Sequence, residues 1–297
     1  MAENYPAAIK LIWDTGQAKP WDYILRNPRA VALVERFVLP RLDRIWVDVE
    51  EQADRLAGLR LPLPPIDVVG NTPPISRLDA PRPKRSDGNQ VEIVYLGILE
   101  LQRGFGDLFA AMEILRAKET AVPVRLVIVG AGRDEAIVKA EAARLHLGPD
   151  LVEFTGFLPH PMALDRVAAA DIGINPIERN EKHDTTLPNK VLDYMAAGLP
   201  VVTSDTGPSA RLVKSIGCGH VYRSGNPADL VQAILQLSDA ATRRELGRRG
   251  QEAIRSTYHW ERDLGRALAA LHEVVQAHRS GHRKANPRPA LQPPVSP

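Results

Sequence analysis

"LPNKVLDYMAAGLPVVTSD", residues 187–205, changes its period halfway. The first part reads as a helix: Pro188 suits a first turn, where its missing N–H is not needed, and Gly198 stops it. From Leu199 to Ser204 a β-branched run, "LPVVTS", reads as a buried strand. Three polar residues that core packing does not need, Asn189, Lys190 and Asp193, gather at or near the helix entrance. A helix N-terminus offers free N–H groups and partial positive charge, which favour phosphate. Lys190 adds a full charge there and Asn189 a neutral donor. Asp193 lies on the same face, roughly 5–6 Å further along the axis. That is about the separation of a pyrophosphate from the vicinal hydroxyls of its ribose, and a carboxylate accepts two hydrogen bonds from such a diol. The spacing therefore fits a nucleoside diphosphate, phosphates at Asn189 and Lys190 and ribose at Asp193. It also fits a surface Lys190–Asp193 pair worth about 0.3 kcal/mol.

Working outward, residues 91–277 alternate strand and helix. "VEIVYLG" (91–97) and "VRLVIVG" (124–130) are β-branched runs ending in glycine, and "LVEFTG" (151–156) and "DIGIN" (171–175) are further strands. Between them Leu108, Ala111, Met112 and Leu115 recur at helical spacing, with Asp107 placed to cap, and 134–145 and 161–170 also read as helices. Short strands separated by helices imply βαβ units and a parallel sheet covered on both faces. Ligands bind such sheets outside the carboxyl ends of the strands, where Gly97, Gly130 and Gly132 fall. Glycine admits close backbone approach. Arg103, just before a helix, has the fork that grips phosphate oxygens, although a solvated arginine fits a lone Arg-Gly as well. "GAGRDE" (130–135) has Glu135 where a dinucleotide loop needs its third glycine, so a tight strand-to-helix turn is the better reading. Amphipathic helices close the region.

Before it, residues 1–76 carry helical patches, a strand over Ile45–Val49, a helix, and a strand over Ile66–Val69: the ending of another α/β domain, too short to be a complete doubly wound one. Residues 77–90, polar and proline-bearing, read as a linker, and 278–297 as a disordered basic, proline-rich tail.

Composition narrows the function classes. With 44% hydrophobic and 25% charged residues the chain is ordinary for a soluble globular protein. No apolar run approaches the ~20 residues of a bilayer span, and the N-terminus lacks a signal-peptide pattern. The single cysteine, Cys218, excludes an internal disulfide framework and reads as a buried thiol. A cytoplasmic location is expected. Arg279, Arg283, Lys284 and Arg288 place basic charge in the tail rather than on the folded body, which argues against a nucleic-acid partner; the tail has the composition for a weak peripheral contact with anionic lipid. The histidines show no HxxxH or HxH spacing, so no metal site is expected. No GxSxG elbow or Walker lysine is present.

In order along the chain, "VEIVYLG", "RGFGDLFAAM", "VRLVIVGAG", "VEFTGFLP", "AAADIGINP", "LPNKVLDYMAAGLPVVTSD" and "YHW" resemble the donor-binding domain of retaining family 4 glycosyltransferases with the two-domain GT-B fold, over residues 91–262. The resemblance implies one complete Rossmann-like domain plus the C-terminal part of a second, acceptor-side domain, an N-terminally truncated version of the family's architecture. It implies a nucleotide-sugar donor in the cleft between domains, and a hexosyl unit passed with retention to a glycan, lipid-carrier or small-molecule acceptor. No cofactor is implied beyond the donor itself. Arg103 takes the place of the basic residue that neutralises the diphosphate, Lys190 is a second cation, and Asp193 stands at the second acid of the family's Glu-x7-Glu motif, the ribose-binding one. Departures are equally specific: Thr185 replaces the first acid, Asp193 is one methylene shorter than Glu, and Ile98 stands where many relatives carry a cation. The alternatives are a non-catalytic or degenerate nucleotide-sugar-binding protein and a UDP-sugar epimerase.

Overall fold

The computed structural model describes residues 4–14, 27–79, 90–118 and 123–280. Most of the expected linker (80–89) and of the expected tail (281–297) therefore lies outside the described residues.

Residues 90–280 form a doubly wound α/β unit. Strands β3 (Val91–Leu96), β4 (Val124–Val129), β5 (Val152–Gly156), β6 (Ile172–Asn175), β7 (Val201–Ser204) and β8 (Gly219–Tyr222) make one six-stranded sheet, ordered β5-β4-β3-β6-β7-β8. Every pairing in it is parallel. Helices α4 (Phe105–Ala117), α5 (Glu135–Arg144) and α9 (Pro227–Leu235) cover one face. Helices α6 (His160–Ala168), α7 (Asn189–Ala196), α8 (Gly207–Ile216) and α10 (Ala240–Ser256) cover the other. The division follows the two-residue period of a strand: in β3, Ile93 and Tyr95 enter the first core, and Val94 the second.

Ahead of this unit, α1 (Tyr5–Asp14) and α2 (Pro28–Val38) precede β1 (Ile45–Val47), α3 (Glu50–Ala57) and β2 (Ile66–Val68). The two strands pair in parallel over their own small core of Leu39, Ile45, Val47 and Leu56. The last helix, α11 (Trp260–Arg279), joins the two parts. The Trp260 N–H donates to the Pro73 carbonyl at 2.9 Å, the Thr72 hydroxyl donates to the Asp263 carboxylate at 2.7 Å, and Arg44 pairs with Glu273 at 2.5 Å.

Local expectations shift in two places. Both early strands stop short, at Val47 and Val68; the first ends there because Val49 already serves as the N-cap of α3. Asp107 does not cap α4: that helix starts at Phe105 behind Gly104, and the Asp107 carboxylate accepts the Gly225 N–H at 2.7 Å. Cys218 is buried, and burial pushes its thiol up to about 12.

The sheet order reverses between β3 and β6, which are paired only at Ile93–Ile172 and Val94–Gly173. Beyond those two pairs Tyr194 of α7 bridges the strands: its hydroxyl accepts the Leu96 N–H at 2.8 Å and donates to the Ile174 carbonyl at 3.1 Å. Its ring fills the space over Gly173, where a Cβ would lie 2.2 Å from Tyr194 Cγ. Tyr194→Phe removes the acceptor for a buried N–H and is expected to cost about 1–3 kcal/mol in urea unfolding; a change below about 0.5 kcal/mol would mean the bridge carries no weight.

Candidate functional site

In a sheet of this order the ligand position is the reversal point, at the carboxyl ends of β3 and β6. Its floor is two loops that lie against each other. The Gly97 N–H donates to Val129 at 3.0 Å and the Leu99 N–H to Ala131 at 3.2 Å. A Cβ on Gly130 would meet the Gly97 carbonyl oxygen at 1.9 Å, and one on Gly132 the Leu99 carbonyl oxygen at 2.2 Å. The "GAG" pattern thus serves close backbone packing. Arg103 ends a short 3-10 turn (Leu101–Arg103) and is followed by Gly104, which is left-handed (φ 78°) and packs on the Pro176 carbonyl. Its guanidinium is 3.5 Å from the Glu100 carboxylate, which Arg133 also approaches at 3.3 Å.

Lys190 lies in the first turn of α7 and is 8% exposed. Its side chain reaches the end of β3. The ammonium stands 3.7 Å from the centroid of the Tyr95 ring, and a Cβ on Gly97 would sit 3.1 Å from it. Tyr95 is fixed by its hydroxyl, which donates to the Ile98 carbonyl at 2.9 Å. Among the described residues no carboxylate pairs with Lys190. Burial, and then the neighbouring Arg103 charge, drive its pKa well below the ordinary lysine value. A desolvated cation–π contact returns about 2 kcal/mol, whereas removing an ion from water costs several. The Tyr95 ring alone does not offset that cost; an anion between Lys190 and Arg103 would.

Asp193 is also 8% exposed but serves a different neighbourhood. It forms no pair with Lys190 among the described residues. Its carboxylate is bound by the Arg77 guanidinium. Burial raises its pKa, against the opposing pull of Arg77 and His160. Asn189 is exposed and lines a separate cleft with Asp48, Thr72, Arg211, Tyr258 and Asp263, which neither Lys190 nor Arg103 lines. Thr185, in a short 3-10 turn, donates its hydroxyl to the Lys182 carbonyl at 3.1 Å. Nearby His183 is buried, its Nδ1 donates to the Glu178 carbonyl at 2.7 Å, and burial lowers its pKa to about 4, so the ring is neutral at neutral pH. No cluster of metal-ligating side chains occurs among the described residues, and none of their helices is long and apolar enough to cross a membrane.

The structure therefore brings together Gly97, Arg103 and Lys190, with Gly130 and Gly132 behind them, and turns Asn189 elsewhere. Sequence reasoning missed Tyr95, Arg77 and His160. Tyr95 reads as one more core residue of a strand, Arg77 as a charge in a linker, and His160 as one of the histidines without metal-ligand spacing.

The chain belongs to the glycosyl transferases group 1 family, whose model matches residues 90–240. It is 29% identical over 261 residues to 2-deoxystreptamine N-acetyl-D-glucosaminyltransferase of Streptomyces fradiae, covering 80% of this chain and 60% of that protein. It is 26% identical over 266 residues to glycogen synthase of Mycobacterium tuberculosis, covering 88% and 60% respectively. The chain thus spans about 60% of the length of these relatives. The fold is α/β and GT-B-like. Sucrose-phosphate synthase from Thermosynechococcus elongatus matches it with a TM-score of 0.69 at 20% identity, over 93% of this chain and 66% of that one. The Anabaena protein HepE, solved in complex with UDP, matches with a TM-score of 0.64 at 18% identity, over 78% of this chain and 64% of that one.

An unpaired buried cation carries a stability signature. Between its depressed folded pKa and the ordinary lysine value near 10.4, the unfolded chain holds the Lys190 proton more fully than the folded chain does, so stability rises with pH there. Lys190→Met is expected to remove that contribution and to stabilise the ligand-free protein by on the order of 1 kcal/mol, while abolishing any thermal stabilisation by pyrophosphate. Destabilisation, or retained stabilisation by pyrophosphate, would show that Lys190 is structural.

Proposed function

We propose that the crevice is the donor site of a retaining hexosyltransferase. Lys190 and Arg103 take the diphosphate of a nucleoside-diphosphate sugar, Asp193 takes its ribose, and the glycine loops bring backbone close to the phosphates. The carrying observation is the buried ammonium of Lys190, set between Gly97 and the Tyr95 ring with no carboxylate paired to it among the described residues. In transfer, the bond from the anomeric carbon to the diphosphate oxygen breaks and a bond to the acceptor oxygen forms. The acceptor's proton passes to the departing phosphate. Negative charge grows on that phosphate, and two cations fixed beforehand stabilise it without reorganising. The UDP named with HepE supports a nucleotide in this fold. On this reading residues 1–76 belong to the acceptor side, 77–90 connect, and 91–277 bind the donor. The acceptor is a glycan, a lipid carrier or a small molecule: one relative is named for 2-deoxystreptamine and another for glycogen, so their names favour no single class.

A second reading, a nucleotide-sugar-binding protein that does not transfer, is favoured by Thr185. That position lacks the acid of the Glu-x7-Glu pattern, and its hydroxyl is engaged by local backbone. The two readings separate by whether purified protein consumes a bound donor when offered acceptors.

Titration calorimetry with UDP, GDP and ADP tests the shared premise. At least one should bind in the micromolar range; millimolar or absent binding to all three contradicts it. In addition, Asp193→Ala should weaken the favoured nucleoside diphosphate by roughly tenfold or more while leaving inorganic pyrophosphate nearly unchanged. Equal losses for both would refute the ribose assignment.

A further inference from the structure

Arg77 lies outside every motif described above, yet it makes the strongest polar contact to the proposed ribose-binding acid. It sits in the 3-10 turn Ile75–Asp79 that leads out of β2 toward the sheet unit. That turn is fastened at several points. The Trp260 N–H holds the Pro73 carbonyl at 2.9 Å, the Glu261 carboxylate accepts the Ile75 N–H at 3.1 Å, and the Arg77 N–H bonds to the Pro74 carbonyl at 3.0 Å. The Arg77 side chain is 23% exposed and the Asp193 side chain 10%. One guanidinium nitrogen donates to the Asp193 carboxylate, and the other lies 3.3 Å from His160 Nε2. Guanidinium has no acceptor, so His160 Nε2 accepts, and Arg77 ties the first residue of α6 to α7.

Two roles are open to such a residue. It could block the acid until the donor displaces it, or it could hold the acid ready. The chemistry decides. A ribose offers only neutral hydroxyls. Breaking a buried ion pair leaves an uncompensated charge, a cost that neutral hydroxyls do not meet. Displacement is also unnecessary, because an ionised carboxylate has about four acceptor positions. The contact with Arg77 leaves enough for both hydroxyls of a vicinal diol. We infer that Arg77 is a positioning residue for the donor: it holds the Asp193 carboxylate charged and oriented, so that the ribose and the guanidinium share it.

This inference rests on the donor-site reading and adds a residue to it. It also explains how a short acid functions there. Asp193 has one methylene fewer than glutamate, so it has less reach with which to find a ligand and depends more on being held in place. Burial opposes its ionised form; the charge acting against that is Arg77 from the connecting turn, and His160 from α6 also faces it. On α7 itself its neighbour is the neutral Tyr194 hydroxyl. Without Arg77 the carboxyl should hold its proton to higher pH, and a protonated acid accepts fewer hydrogen bonds from a diol.

The test is calorimetric titration of the full chain and of Arg77→Gln and Arg77→Lys with UDP, GDP and ADP, and with inorganic pyrophosphate as the probe that has no ribose. Arg77→Gln should lose roughly tenfold or more in affinity for the nucleoside diphosphate that the wild type binds best, with pyrophosphate affinity little changed. Its nucleoside diphosphate affinity should also fall as pH drops from mildly alkaline to mildly acidic, more steeply than that of the wild type. Arg77→Lys keeps the charge and should restore most of the wild-type pH profile. Intact pyrophosphate binding shows that each variant is folded at the phosphate end. Tighter nucleoside diphosphate binding by Arg77→Gln would overturn the inference in favour of a blocking role. Unchanged affinity and pH profile in a wild type that does bind would overturn it alone. A wild type that binds none of the three nucleoside diphosphates would overturn the donor-site reading with it.

Discussion

The hydroxyl of Tyr194 spans the place where β3 and β6 stop pairing. A parallel sheet that reverses its order leaves backbone groups facing a widening gap, and buried backbone groups must find partners. One phenol satisfies two of them, the Leu96 N–H and the Ile174 carbonyl, and in doing so fixes α7 across the mouth of the gap. The rest of the site follows from that position. Lys190 is four residues before Tyr194 on the same helix, one turn earlier, so its ammonium is delivered to the end of β3. Gly97 has no side chain to exclude it, and the Tyr95 ring gives it a surface.

The electrostatic consequence is a fold that holds Lys190 where its charged form is costly. Arg103, brought in from the start of α4, raises the cost further, since like charges disfavour each other. Proteins carry such arrangements where function requires them and offset them elsewhere. Here the offset is ample: two aliphatic cores sandwich the sheet, and an aromatic ladder, with Tyr95 and Phe105 at 4.9 Å and Phe105 and Phe109 at 5.9 Å, backs the cation site. Asp193 is neutralised separately, by Arg77. The positive and negative halves of the site are therefore held apart in the ligand-free protein instead of cancelling each other.

Much of this was legible in the sequence because the sheet unit obeys local rules. β-branched runs ending in glycine gave the strands, and helical periods between them gave the crossovers. The helix-to-strand change within 187–205 marked the crevice. Less legible was which way each polar side chain points. Asn189 and Lys190 are adjacent at the helix entrance, and grouping them ignored that neighbours on a helix face different directions. Lys190 turned inward to β3, whereas Asn189 faces a separate cleft beside Arg211 and Tyr258. The surface-pair reading of Lys190 and Asp193 failed for a related reason: each side chain found a tertiary partner, Tyr95 for one and Arg77 for the other. Arg77 and Asp193 are 116 positions apart, and no local pattern links them.

Donor binding at this site requires Lys190 and Arg103 to converge on one diphosphate. A crystal structure of the chain with bound UDP tests it most directly. The expected result is diphosphate oxygens within hydrogen-bond distance of both Lys190 Nζ and the Arg103 guanidinium, with the ribose hydroxyls on Asp193. Diphosphate density in the cleft beside Asn189 and Arg211, with Lys190 still stacked on Tyr95 and touching no phosphate, would contradict it.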